Sequence, residues 1–234
     1  TTDPLVRYPF TLRAQTEGGV REALSRALVF TPARRATSSP VLDGALGDWP
    51  EPFALVVGPD SGEASHPADG PHSGPAELSA TAARRCDDDH LYLAVLVQDD
   101  MHVNNQRDGA LWDGDGLQIG VAPEPYLPAG SYCELGVALA GGSVQRWAWR
   151  ALPGQPTGEL SFPCAIVRAE GETRYEMAIP RSMLGPIRLA PGAVIGLGLC
   201  VNEQDSAGRG YYGWHAGIAS DKDRALFGQV TLSR

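Results

Sequence analysis

Lysine is almost missing from this chain of 234 residues: Lys222 is the only one. Arginine supplies the other positive charges. The 19 basic side chains face 28 acidic ones, for a formal net charge of -9 and a sequence pI of about 5.0. Such a surface repels a phosphate backbone, which argues against a nucleic-acid partner. No apolar run approaches the ~20 residues that a membrane-spanning helix needs, so no membrane partner is expected. No leader-like segment is visible, and the chain opens at Thr1 in strand-like sequence. It reads as a processed chain or a piece of a longer one. Cys86, Cys133, Cys164 and Cys200 form no CxxC pair, which excludes the usual zinc knuckles. Buried free thiols and one or two disulfides both stay open. The five histidines, His66, His72, His90, His102 and His215, lack HxxxH spacing and read as surface residues. There is no GxSxG, HExxH, P-loop or dinucleotide-binding glycine pattern. No carboxyl pair is singled out for cleaving a glycosidic bond. The chain is therefore read as non-catalytic, with any enzyme lying in a larger parent chain.

What is abundant is punctuation. With Gly 28 and Pro 19, the chain must turn often and can hold few long helices. An apolar content of 43% with 20% charge suits a folded core, and this length fits one all-β domain. Leu91–Gln98 is apolar at successive positions and predicts a central strand buried on both faces. Shorter strands are expected at 53–57, 77–84, 116–122, 132–139, 144–151, 162–168, 173–179, 193–202 and 226–232, with one helical turn at 180–184. Many short strands between Gly/Pro turns predict an all-β, antiparallel β-sandwich of the jelly-roll or immunoglobulin-like kind. Residues 1–40 are expected to be an N-terminal extension and linker, or the tail of a preceding domain. They include a strand pair or arm up to about Arg35 and a linker-like stretch over 32–40. The sandwich is expected over 41–234, with a long loop over 58–75 that is either mobile or functional.

The most informative stretch is Leu111-Trp-Asp-Gly-Asp-Gly-Leu-Gln-Ile-Gly-Val121. A tryptophan and two acids form a turn, and an alternating strand follows. Leu117, Ile119 and Val121 lie on one side and Gln118 on the other. An indole beside a polar side chain suits a sugar ring: the flat ring covers C–H groups and the amide catches hydroxyls. Trp112 as a plug for one end of the sandwich is the simpler reading of that stretch alone. Trp147 and Trp149 share a strand face with Gln145, as core packing or as an aromatic platform. Tyr211-Tyr-Gly-Trp-His215 groups aromatics around a glycine, as a binding loop or a plug. Asp87, Asp88, Asp89, Asp99, Asp100, Asp113 and Asp115 cluster near strand ends, as a solvated rim or as oxygen ligands. Asp43, Gly44, Asp48 and Trp49 form a structural turn, with the indole packed on the sandwich edge.

Six segments in order carry a family resemblance. They are Val41-Leu-Asp-Gly-Ala-Leu-Gly-Asp-Trp-Pro50, Asp87–Asp100, Leu111–Ile119, Tyr175-Glu-Met-Ala-Ile-Pro180, Gly192–Asn202 and Leu226–Leu232. From about Val41 to the C-terminus the chain resembles the family 9 carbohydrate-binding modules, within the DOMON-like β-sandwiches. The resemblance implies a non-catalytic, secreted module of bacterial type, extracellular or periplasmic. It would serve carbohydrate catabolism as an accessory to a glycoside hydrolase or another larger protein. The ligand would be a β-linked cello- or xylo-oligosaccharide, held near a chain end between two tryptophans. Trp112 falls on the first of these. Gln118 falls where the family has a hydroxyl-binding glutamate, so the amide forgoes a charge-assisted bond of about 1 kcal/mol. Asn202 matches an asparagine that closes the preceding strand. Trp214 lies in the region of the second tryptophan, or matches a buried one there, and Tyr212 is the neighbouring candidate. No cofactor is required; structural calcium at Asp99, Asp113 and Asp115 is what the resemblance adds. Two other readings remain: a structural or partner-binding sandwich without sugar, and a haem-b domain with an axial pair drawn from Met101, Met177 or Met183 and His215 or Lys222.

Overall fold

The computed structural model describes residues 6–15, 19, 21–50, 53–59, 65–66, 74, 76–123, 130–206, 208–219 and 221–233. Fifteen strands form among them: β1 (Val6–Gln15), β2 (Arg21–Arg35), β3 (Leu55–Val57), β4 (Ser65–His66), β5 (Leu78–Cys86), β6 (His90–Asp99), β7 (Gly116–Pro123), β8 (Cys133–Ala140), β9 (Ser143–Arg150), β10 (Gly158–Glu159), β11 (Cys164–Ala169), β12 (Glu172–Pro180), β13 (Val194–Asp205), β14 (Gly208–Trp214) and β15 (Gly228–Leu232). Three short helical turns, Asp108–Asp113, Arg181–Met183 and Arg224–Leu226, join some of them. The expected helical turn after Pro180 is the second of these. Much of the expected loop over 58–75 lies outside the described residues; the part that is described includes β4.

The strands make two layers. One runs β10-β9-β8-β7-β13-β15, with β14 beside the second half of β13. The other runs β5-β6-β12-β11, with β3 on β5. β2 joins them. Thr31–Ala33 pairs with Val230–Leu232 of β15, and Arg34–Arg35 pairs with Arg85–Cys86 of β5. Both pairings are parallel, so the sheet is mixed where a purely antiparallel sandwich was expected. The physical reason is closure: a strand crossing from one layer to the other satisfies an open edge of each. Thr31–Arg35 thus belongs to the sandwich, ahead of the boundary expected at Val41, and Ala33 is fully buried in its core. The expected strand pair forms, because β1 pairs with Arg21–Phe30 of β2 in antiparallel register.

The interior follows the period of two. Leu117, Ile119 and Val121 of β7 and Ile195, Leu197, Leu199 and Val201 of β13 meet Leu91, Leu93, Val95 and Val97 of β6 and Tyr175, Met177 and Ile179 of β12. Each such side chain stabilises the fold by roughly 1.5–3 kcal/mol. The intervening residues of β6, Tyr92 and Ala94, are buried as well, beneath Trp49. The expectation of a strand covered on both faces therefore holds. The cover is the turn Asp43–Trp49, which one carboxylate fastens to β12. Glu176, fully buried, accepts the Asp43 N–H at 2.9 Å, the Gly44 N–H at 2.5 Å and the Trp49 indole N–H at 2.6 Å. Gly44 has φ +78°, and a Cβ there would lie 2.3 Å from Val167, so the turn requires glycine at that point.

Glu176→Ala strands three N–H donors, two of them buried. It should lower unfolding stability by about 3 kcal/mol or more in urea titration. A loss below about 0.5 kcal/mol, the range of an ordinary surface change, would show that the turn does not hold the layer.

Candidate functional site

On the outer face of the other layer, the middle strands present few large side chains. Gly120 of β7 lies directly opposite Gly198 of β13. A Cβ at Gly120 would sit 2.2 Å from Ile218 Cδ1, and one at Gly198 would sit 2.5 Å from Ile218 Cγ1. The segment after β14 uses this space, laying Ile218 and Phe227 against Ala122 and Cys200. It thereby brings Lys222, held at φ +51°, over the sheet. Its ammonium donates to Glu134 of β8 and to Gln118 Oε1 at 3.3 Å. The Gln118 amide donates to Asn202 Oδ1 at 3.0 Å. Gln118, Glu134 and Asn202 are all buried, so this ladder is fixed in low dielectric, where paired polar groups hold their geometry tightly.

A tryptophan rests on the same bare strip. A Cβ at Gly136 would fall 2.3 Å from Trp149 Cη2, so glycine lets that indole lie down on β8. The Trp149 N–H donates to the Gly109 carbonyl at 2.8 Å, which ties it to the turn Asp108–Asp113. That turn also carries Trp112, 40% exposed. The Arg209 guanidinium covers one face of Trp112 at 4.2 Å from the ring centroid. Between these groups lies a cavity of about 350 Å³ lined by both indoles, Gln118, Glu134, Arg150, Arg209, Tyr211, Ala219 and Lys222. Two flat aromatic walls and a polar floor can hold an apolar ring face and pair its hydroxyls.

The expected site residues divide by strand parity. Trp112 and Gln118 line the cavity, and Asn202 supports Gln118 from the next strand. Trp214 and Tyr212 do not reach it. Tyr211–His215 was read as a loop, but its residues up to Trp214 belong to β14, where Leu199 faces Trp214, Val201 faces Tyr212 and Asn202 faces Tyr211. Trp214 and Tyr212 therefore point into the core cluster, while Tyr211 and Arg209 point out. A shift of one residue along a strand exchanges the two faces. Trp149 lines the cavity, whereas Trp147 packs beside it on Leu111, Ala138 and Ala140. Sequence reasoning did not assign Glu134, Arg150 or Arg209 to the site and weighed Lys222 only as a haem ligand. The uniqueness of that lysine and an acid alternating within apolar β8 were the available signals. Among the described residues no methionine lines the cavity. Met177 is wholly inside the core and Met101 is exposed on the surface.

The calcium expectation is reshaped. Asp113 turns to Arg209, with Nε 3.7 Å from Oδ1, and accepts from Gln106 at 3.4 Å. Asp99 and Asp115 meet at His102 instead. All four of their carboxylate oxygens already accept N–H groups, from Met101 and Arg168 on Asp99 and from Gln204 and Val103 on Asp115. With a histidine and an arginine in the group, the set is a hydrogen-bonded brace and does not fit calcium, which selects several oxygen ligands. Glu77, Glu203 and Asp205 also converge, within 4.8 Å of one another, and this group offers oxygen alone. All four thiols are free, with Cys86, Cys133 and Cys200 buried.

Architecture and site together define a β-sandwich with an aromatic-walled, polar-floored cavity on one outer face, the build of a binding module. The chain belongs to the carbohydrate family 9 binding domain-like family, whose model matches residues 63–234, a family of non-catalytic binding modules. The fold is similar to that of a family 9 carbohydrate-binding module from Caldicellulosiruptor kristjanssonii in complex with cellotriose. That match has 20% identity and a TM-score of 0.60, over 87% of this chain and 94% of that one. A complex of a family 9 module of the same organism with glucose gives 18% identity and a TM-score of 0.58, over 87% and 97%. A putative carbohydrate-binding protein from Bacteroides uniformis matches at 12% identity and a TM-score of 0.51, over 72% and 85%. No curated protein matches the chain.

Burial raises the Asp115 and Glu203 carboxyls to about 8, far above the ordinary carboxylate value of about 4. The folded chain therefore holds protons that the unfolded chain has released. Stability should fall as pH rises from about 5 to about 8. Thermal melts in chelator should show a falling midpoint across that window, with a shallower slope for Glu203→Gln. A midpoint that climbs with pH would contradict the assignment.

Proposed function

We propose that this chain is a non-catalytic module that binds a β-linked glycan, the end of a cello- or xylo-oligosaccharide, in the outer-face cavity. The observation that carries the reading is the pairing of two indoles, Trp112 and Trp149, with the Glu134–Lys222–Gln118–Asn202 ladder around one cavity of about 350 Å³. The indoles cover the apolar ring face. The ladder, with Arg150 and Tyr211 beside it, meets the hydroxyls. No bond is made or broken. The family membership and the cellotriose and glucose bound by similar folds support this reading. Affinity is modest, because hydroxyls exchange water for protein at little net gain and small ligands contribute little per atom. The module serves as an accessory within a larger parent protein, such as a glycoside hydrolase, outside the cell or in the periplasm. Calcium belongs to the proposal only at Glu77, Glu203 and Asp205, where it would take the place of the proton that burial leaves on Glu203.

Calorimetry with cellotriose and xylotriose tests it. The native chain should bind at least one of them, and Trp112→Ala and Trp149→Ala should each weaken binding by about fivefold or more. Gly136→Ala must lift the Trp149 ring off β8. It should cost about 1–3 kcal/mol of stability and weaken binding alongside. Silence toward every neutral and charged glycan would favour the reading as a structural or partner-binding sandwich.

A further inference from the structure

The cavity inverts the charge of the molecule. The chain carries a net -9 and a single lysine, yet that lysine, Arg150 and Arg209 all line this one site. Among the described residues Glu134 is the only acid lining the cavity, and both its oxygens are engaged. Lys222 takes Oε1, and Arg150 Nε lies 3.7 Å from Oε2. Asp113 stands 3.7 Å from Arg209 at the rim. Among the described residues, three cations against these two acids leave an excess of one positive charge.

The guanidiniums are also poorly supplied with acceptors. Arg209 Nε is buried and makes no hydrogen bond among the described residues; its cation rests on the Trp112 ring. Arg150 is half exposed. Its guanidinium lies 5.0 Å from the Tyr132 ring centroid, and it makes no hydrogen bond among the described residues. A guanidinium presents its donors as a planar fork that matches a carboxylate in two parallel bonds. Hydroxyls of a neutral sugar cannot balance the charge, whereas a carboxylate does both.

We infer that the cavity selects a glycan unit bearing a carboxylate, a uronic acid, with Arg209 and Arg150 as the specificity-determining residues. This rests on the glycan-binding reading above and names its ligand class. The indoles hold the ring while one or both forks take the carboxylate. The excess charge is used only when the ligand is anionic.

Calorimetry of the native chain should compare a glucuronic-acid-bearing xylo-oligosaccharide with its unsubstituted counterpart of equal length. The acidic ligand should bind about tenfold more tightly or better. That advantage should shrink between about 50 mM and about 500 mM NaCl as screening grows. Arg209→Gln and Arg150→Gln, each checked for an unchanged melting profile, should close the gap by weakening the acidic ligand more than the neutral one. Arg209→Lys, which keeps the charge and loses the fork, should restore only part of it. A sulfated oligosaccharide of the same backbone forms the second arm; equal preference for sulfate would overturn the carboxylate assignment. Binding of the neutral ligand as tightly as the acidic one would overturn this inference and leave the glycan reading standing. Binding of neither would remove both.

Discussion

The site exists because one sheet face lacks side chains where three strands meet. Gly120, Gly136 and Gly198 are outward positions on β7, β8 and β13, and a methyl group at any of them would strike a neighbouring side chain within 2.5 Å. Into that trough sink Ile218 and Phe227 on one side and Trp149 on the other. The rest follows from their seating. The segment pinned by Ile218 delivers Lys222, the lysine fixes Glu134 and Gln118, and the indole of Trp149 anchors the turn that bears Trp112. Glycine weakens a strand by removing packing and adding backbone entropy in the unfolded chain. Here the weakened strands recover contacts from the segments laid over them.

The two outer faces are treated in opposite ways. On one, the turn Asp43–Trp49 closes over β5, β6 and β12, and a fully buried Glu176 with three N–H partners makes that cover permanent. A lone carboxylate in such a place would be costly, but with three donors it is a fastening. On the other face the cover stops short and leaves the cavity. Its buried polar floor is satisfied within itself, while its walls stay accessible.

Much of this was legible from residue order. The uninterrupted apolar run of β6 announced burial on both faces, and Asp43–Trp49 announced the turn that provides it. Leu111–Val121 offered an indole as either a sugar wall or a plug and, with correct alternation, an outward Gln118. What could not be read was parity in β14. Two tyrosines, a glycine and a tryptophan look the same in either register, and only pairing with β13 turns Tyr211 outward and Trp214 inward. Parallel pairing of β2 with two layers was hidden too, because Thr31–Arg35 lies beside proline-rich, small-residue sequence that resembles a linker. Glu134 and Lys222 are 88 residues apart, and nothing local links them. The aspartates near strand ends illustrate a further limit. Composition gathers acids, but only geometry shows that Asp99 and Asp115 already spend their oxygens on N–H groups while Asp113 looks elsewhere.

The most direct measurement is a crystal structure of this chain with a short β-linked oligosaccharide carrying one glucuronic acid. The account predicts a pyranose against Trp149 and Trp112, its hydroxyls on Glu134 and Gln118 and its carboxylate on a guanidinium of Arg209 or Arg150. Density for the sugar on any other surface, with the cavity left without it, would contradict it.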